Sequence, residues 1–221
     1  MNAVWAEIVS NLGTIGQDTV QHIEIVAIAV AVGVVVAVPL GVLLTRHQRV
    51  AEPVIAIIGF LQTIPSLALL ALVLPILGIG VLPALSALAL YALLPILRNT
   101  YVGVQGVPVA VVDSAQAMGM SRAQVLFQVE MPLAVPVIIA GIRLSTVYLI
   151  SWAIIAAEIG SGGLGILIFE GLSTYDFALI LAGAVPAALL AILAGFLFNW
   201  LQVRLTPAGI RSRALARGRM A

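Results

Sequence analysis

At 221 residues the chain has the length of one or two soluble domains, but it is 62% hydrophobic and 9% charged, with a mean hydropathy of +1.21. This excludes a soluble globular protein and defines an integral membrane one. The absence of cysteine removes disulfide frameworks and thiolate metal sites. All ten basic residues are arginine, so the lysine that a P-loop places on phosphates is missing and no ATPase site of that kind is carried here.

Met1 to Thr19 lacks a basic start and contains Glu7 and Asp18, the wrong polarity for a secretory signal peptide. It reads as a short amphipathic lead-in with Trp5 as an interfacial anchor. Ile23 to Leu44 is apolar apart from Glu24 and long enough to cross a hydrocarbon core of about 30 Å as a helix; Pro39 and Gly41 are tolerable where neighbouring helices cover the backbone. After the short basic loop Thr45 to Arg49, a second span is expected over Val54 to Leu77, interrupted by Pro65 and Pro75. Inside it lies a polar step, Gln62-Thr63-Ile64-Pro65-Ser66. Polar groups at that depth either hold helices together or line a pathway.

The uncharged turn Gly78-Ile79-Gly80 leads to a third span, Leu82 to Leu97, ended by Arg98. The fourth, Leu133 to Ala153, contains Arg143, which can snorkel to the inner surface or pair with a carboxylate in the bundle. Ile159-Gly160-Ser161-Gly162-Gly163-Leu164-Gly165 implies irregular backbone set against protein or water, and Glu158, Glu170 and Asp176 make this segment acidic. A fifth span covers Phe177 to Leu201, and the tail carries Arg204, Arg211, Arg213, Arg217 and Arg219. No internal repeat is visible, so residues 1–221 read as one all-α domain of about five membrane helices. His22 and His47 stand beside polar loops, where solvated histidines are ordinary. Tyr91, Tyr148, Trp152 and Tyr175 can make cation–π contacts but are more often interfacial.

Arginine accumulates in cytoplasmic loops. Here it falls in the loop after the first span, between Arg98 and Arg122, and in the tail, whereas the N-terminus, the Gly78 turn and the Gly160 loop have none. With an odd number of spans this puts the N-terminus outside and the C-terminus inside. The polar island Asp113 to Pro132, part of a loop over residues 106–132, then faces the cytosol.

Its local signals describe two short helices. Pro108 can open the first, where its missing N–H costs nothing, and Gly119 closes it in the left-handed conformation. Ser121-Arg122-Ala123-Gln124 has the form of a capping box for the second, which is expected to end before Pro132. The small residues Ser114, Ala115, Ala117 and Gly119 would let another protein approach the backbone closely.

The run Asp113-Ser114-Ala115, Gly119 and Glu130-Met131-Pro132 resembles the EAA motif of ABC-type importer permeases, in which Glu-Ala-Ala-x-x-x-Gly is followed by Ile-x-Leu-Pro. The departures are Asp113-Ser114 for Glu-Ala and Met131 before Pro132. Gln62-Thr63-Ile64-Pro65-Ser66-Leu67-Ala68-Leu69 resembles the quaternary-amine branch of that family, and Gly141 to Gly165 resembles its continuation after the coupling loop. The resemblance covers about a quarter to a third of the chain and implies a MetI-like permease fold with no enzymatic activity of its own. It implies coupling helices that seat in an ATPase subunit, through Asp113, Ser114, Ala115, Met118, Gly119, Ser121, Arg122 and Pro132. It also implies a pathway for which Gln62, Thr63, Pro65, Ser66 and Glu158 are the candidates. Implied partners are two ATPase copies, which use the ATP and magnesium while this chain binds no cofactor, together with a second permease, an extracytoplasmic binding protein and the bilayer of the bacterial inner membrane, with no nucleic acid. The implied cargo is a small quaternary amine such as glycine betaine, carnitine or choline. A permease for amino acids or another polar metabolite is the alternative. An ion-coupled secondary transporter would need ionisable residues at the bilayer midplane, and the spans hold almost none.

Overall fold

The computed structural model describes residues 11–207, all of whose regular structure is helical. Four helices are long and apolar enough to cross a membrane, and a bent pair brings the number to five where it is counted as one span.

The first helix, α1 (Leu12–Arg46), is 35 residues long, about 52 Å at 1.5 Å per residue. It starts well before the expected Ile23 and outreaches a hydrocarbon core of about 30 Å, so its polar first turns stand beyond that core. It packs on α4 (Val81–Gln105) through a four-residue repeat of small residues, Ala29, Gly33, Ala37 and Gly41, all buried. A Cβ on Gly33 would stand 2.6 Å from Ala92 Cβ, and one on Gly41 2.8 Å from Thr100 Cβ. Lipid tails are as apolar as leucine, so helices in a bilayer associate by such close packing rather than by hydrophobic burial. On its other side α4 meets α7 (Met131–Ala156) in the same way, since a Cβ on Gly141 would fall 2.5 Å from Asn99 Cβ and 2.7 Å from the Pro95 carbonyl. The third span is therefore the centre of the bundle, held between the first and the fourth.

The second span is not one helix. It consists of α2 (Gln48–Leu61) and α3 (Ser66–Leu77), bent by 89°. Pro65 lacks an N–H and holds Ile64 away from helical geometry. The last turn before it tightens into three-residue hydrogen bonds, Gln62 N to Gly59 O at 3.1 Å and Thr63 N to Phe60 O at 2.9 Å.

The island helices are α5 (Val109–Ala117) and α6 (Arg122–Val125). The expectation that the second ends before Pro132 is wrong: Arg122–Ile159 runs as one continuous helical rod. A π-helical stretch, Leu126–Glu130, joins α6 to α7, with Met131 N bonded to Leu126 O five residues back. The wider turn removes the clash between the Pro132 ring and the preceding carbonyls. At the far end the glycine loop carries a short helix absent from the sequence reading, α8 (Gly165–Thr174). The last span, α9 (Phe177–Leu205), is N-capped by Asp176, whose carboxylate accepts from Ala178 N at 2.7 Å and Leu179 N at 3.3 Å.

Candidate functional site: a coupling hairpin and a broken span

Helix α5 closes in a Schellman motif. Gly119 adopts φ 84°, its N–H donates to Gln116 O at 2.9 Å, and Met120 N donates to Ala115 O at 3.2 Å, the paired reverse bonds that satisfy a helix's last carbonyls. The capping box then starts α6: Gln124 N donates to Ser121 Oγ at 3.3 Å and Ser121 N to Gln124 Oε1 at 2.7 Å. Together the two caps fix the angle of the hairpin with no long-range contact at the turn, since a Cβ on Gly119 would meet nothing within 4 Å.

Of the expected coupling residues, Asp113, Ser114, Met118, Gly119, Ser121, Arg122 and Pro132 are exposed, while Ala115 is buried and with Val125 belongs to the inner side of the hairpin. Its exposed apolar side chains include Met118 at 77%, Val109 at 71% and Phe127 at 70% exposure. Phe127 escaped the sequence reading. The available signal was an aromatic residue inside a polar island.

Glu130, noticed in the sequence only as part of the run before Pro132, is buried at the end of the π stretch and ion-paired with Arg46, the last residue of α1. The Arg46 Nη1 donates to one carboxylate oxygen at 3.2 Å and Nη2 donates to the other. This fork geometry is the strongest common form of ion pair.

At the break in the second span the polar step is divided in its roles. Pro95 has no N–H, which leaves the carbonyl of Tyr91 one turn earlier without its helical donor, and the Gln62 amide fills that vacancy at 2.6 Å. The Tyr91 hydroxyl in turn donates to Ile64 O at 2.7 Å. The break in the second span and the proline in the third are thus tied by one reciprocal pair of hydrogen bonds. Gln62 is a brace. Thr63, whose hydroxyl bonds back to Phe60 O at 2.7 Å, and Pro65 are exposed, and Ser66 is half-buried. Glu158 is exposed in the 3-10 turn that ends the fourth span. Trp152 contacts both Tyr91 and Tyr148, with ring centroids 4.4 and 5.8 Å apart.

The Arg143 Nη1 donates to Asn199 Oδ1 on α9 at 3.4 Å. His22 corrects another expectation, because it is buried rather than solvated and its Nε2 donates to Ile150 O at 3.0 Å. Beside it Gln21 clamps the glycine loop, accepting from Gly163 N at 3.0 Å and donating to Ser161 O at 3.5 Å. Trp5 and the last four arginines lie outside the described residues. Among the described residues no group of three or more His, Cys, Asp and Glu could hold a metal ion.

A bundle of apolar helices packed on small residues, with one span broken at a polar step and a capped polar hairpin at one end, defines an α-helical membrane permease. Residues 4–209 match the family described as binding-protein-dependent transport system inner membrane component, and the chain belongs to that family. It is 50% identical over 194 residues to a carnitine transport permease protein, OpuCB, of Listeria monocytogenes, covering 88% of this chain and 89% of that one. It is also 50% identical over 202 residues to a choline transport system permease protein, OpuBB, of Bacillus subtilis, covering 91% and 93%. Its fold is that of a solved inward-facing MetNI methionine ABC transporter structure, with TM-score 0.79, 21% identity, and 87% of this chain and 96% of that one covered. The chain is accordingly a transport subunit and not an enzyme, and the family implies a separate ATPase and a substrate-binding protein as partners.

Proposed function

We propose that this chain is the membrane-spanning subunit of an ATP-driven importer of small quaternary amines, of the glycine betaine, carnitine and choline type. The observation that carries the reading is the joint presence of the hairpin, built as a docking knob that presents Met118 and Phe127, and 50% identity to relatives named for carnitine and for choline. The likeness to a methionine transporter, at 21% identity, speaks to fold alone.

Two permeases, alike or paralogous, would pair across the pathway above two copies of the ATPase. Those ATPases would use the ATP and magnesium; this chain would hold no cofactor. Two contacts support the proposed orientation. Arg46–Glu130 puts the end of α1 and the start of α7 at one face, and Gly80 N to Ile159 O at 2.8 Å puts the start of α4 and the end of the fourth span at the other. The first face carries Arg46, Arg49, Arg122 and Arg204, and the second carries Glu158, Glu170 and Asp176. By the positive-inside rule the first would be cytoplasmic, with the N-terminus outside and the C-terminus inside. ATP-driven closure of the ATPases would then act on Asp113, Ser114, Met118, Gly119, Ser121 and Arg122, switching the permease pair between inward- and outward-facing states by rigid-body rotation.

The binding protein would deliver the amine at the outer face, so the permease needs only a weakly polar passage. Thr63, Pro65 and Ser66 at the break, with Glu158 near the outer end, are the pathway candidates, and Gln62 shapes them through Tyr91. Uptake by proteoliposomes containing permease, ATPase and binding protein tests the reading. Labelled carnitine, choline or betaine should accumulate with ATP and compete with one another. If none of the three is taken up and none competes with a substrate that is, the quaternary-amine assignment fails.

A further inference from the structure

We infer that the Arg46–Glu130 pair is the strut that carries displacement of the coupling hairpin into the first membrane helix. The inference rests on the transport reading above and adds to it two positioning residues that lie outside the hairpin's docking surface. Glu130 is the last residue of the π stretch, where the rod departs from α-helical geometry between the hairpin and the fourth span. Such wide turns in a helix are local weak points and recur at working sites. A displaced hairpin would flex there, and the fourth span alone would receive the motion.

The ion pair lies on the membrane side of that weak point and shares with α1 whatever motion passes it. It joins the membrane-proximal end of the π stretch to the end of α1 through a two-point fork, with the Glu130 side chain only 7% exposed and the Arg46 side chain 46% exposed. A carboxylate buried to that degree is a poor way to gain stability, because its desolvation cost offsets most of the attraction and an apolar side chain of similar size does as well. A directional, charge-assisted link is what an apolar contact cannot supply. The two helices are also tied at their outer ends, where His22 Nε2 donates to Ile150 O and Gln21 clamps Ser161 and Gly163. Glycine contacts lock α4 between them. The first, third and fourth spans thus form one body, pinned at both faces, that hands motion of the hairpin to the outer glycine loop. The second span, jointed at residues 62–65, can move against it.

The test uses the whole reconstituted complex and compares Arg46→Gln/Glu130→Gln with wild type, Arg46→Lys and the swap Arg46→Glu/Glu130→Arg. The double glutamine variant leaves no buried charge unpaired, so it assembles with near-normal thermal stability. We expect its basal ATP hydrolysis to be unchanged and its stimulation by loaded binding protein to fall about tenfold, in the range of ordinary inter-site coupling. The lysine variant, which keeps the charge but not the fork, should be intermediate, and the swap should recover part of the stimulation. Spin labels on Leu43→Cys and Gln128→Cys, in a chain with no other cysteine, should keep a fixed separation through the ATP cycle in wild type and a broadened one in the double variant. Normal stimulation and a fixed separation in the double variant overturn the strut. So does loss of assembly in parallel with stimulation, which would make the pair merely structural. Failure of the transport reading would show instead in the wild-type arm, as no uptake of any amine.

Discussion

Gly119 is the residue on which the hairpin's shape depends most, and replacing it separates backbone conformation from packing. Its φ is 84°, and no atom lies within 4 Å of where a Cβ would stand, so a side chain there meets strain but no clash. For an L-residue with a Cβ the left-handed conformation costs about 1–2 kcal/mol, asparagine less because it visits that region readily, and a β-branched residue more. Since about 1.4 kcal/mol is a factor of ten, Gly119→Ala should weaken association with the ATPase by about tenfold, Gly119→Asn by less, and Gly119→Val by more. Membrane insertion should be unaffected, because a Cβ at this position meets nothing within 4 Å. The assay is co-purification and titration of permease against ATPase in detergent, with ATPase stimulation as the functional readout. The order Gly, Asn, Ala, Val is the signature of conformational strain. If instead valine binds as well as glycine while asparagine does not, side-chain chemistry governs the site and the Schellman geometry is irrelevant to docking.

Three further expectations concern other links in the chain. Gly33→Leu forces α1 off α4, where even a Cβ has only 2.6 Å; it should cost about 3 kcal/mol or more and appear as a permease lost from the membrane fraction, whereas Gly195→Leu, with nothing within 4 Å, should be tolerated. Equal yields of the two variants would refute the packing account. Tyr91→Phe removes the hydroxyl donated to Ile64 O at 2.7 Å and should lower thermal stability by about 1 kcal/mol and change the uptake rate; a variant unchanged in both measurements would deny the brace a role in the break. A reporter active only in the cytosol should work when fused after Arg219 and stay silent after Gly163, and the opposite pattern would invert the orientation and move the hairpin outside.

What was legible in the sequence follows the range of the physics involved. The spans could be read because a bilayer demands long apolar runs, and the caps of the hairpin because Gly119 and Ser121-x-x-Gln124 act within one turn of themselves. Prolines were harder to rank. Pro39, Pro75, Pro95 and Pro186 all sit inside continuous helices, whereas Pro65 breaks its span; at Pro95 the freed Tyr91 carbonyl finds the Gln62 amide on another span, a repair that local sequence cannot show. His22 was misread because its neighbours Gln21 and Glu24 look aqueous. Helical periodicity held the better signal: Ile15, His22, Ile25, Val26, Ala29, Gly33, Ala37, Gly41 and Leu44 share one buried face. Glu130 shows the limit most clearly, since its partner lies 84 residues away and no spacing rule connects them. Yet alternation of the spans brings Arg46, at the end of the first, and Glu130, at the start of the fourth, to the same membrane face. A buried acid and a base that topology places at one face should be paired before either is assigned to solvent, because burying one without the other would cost more than the pair.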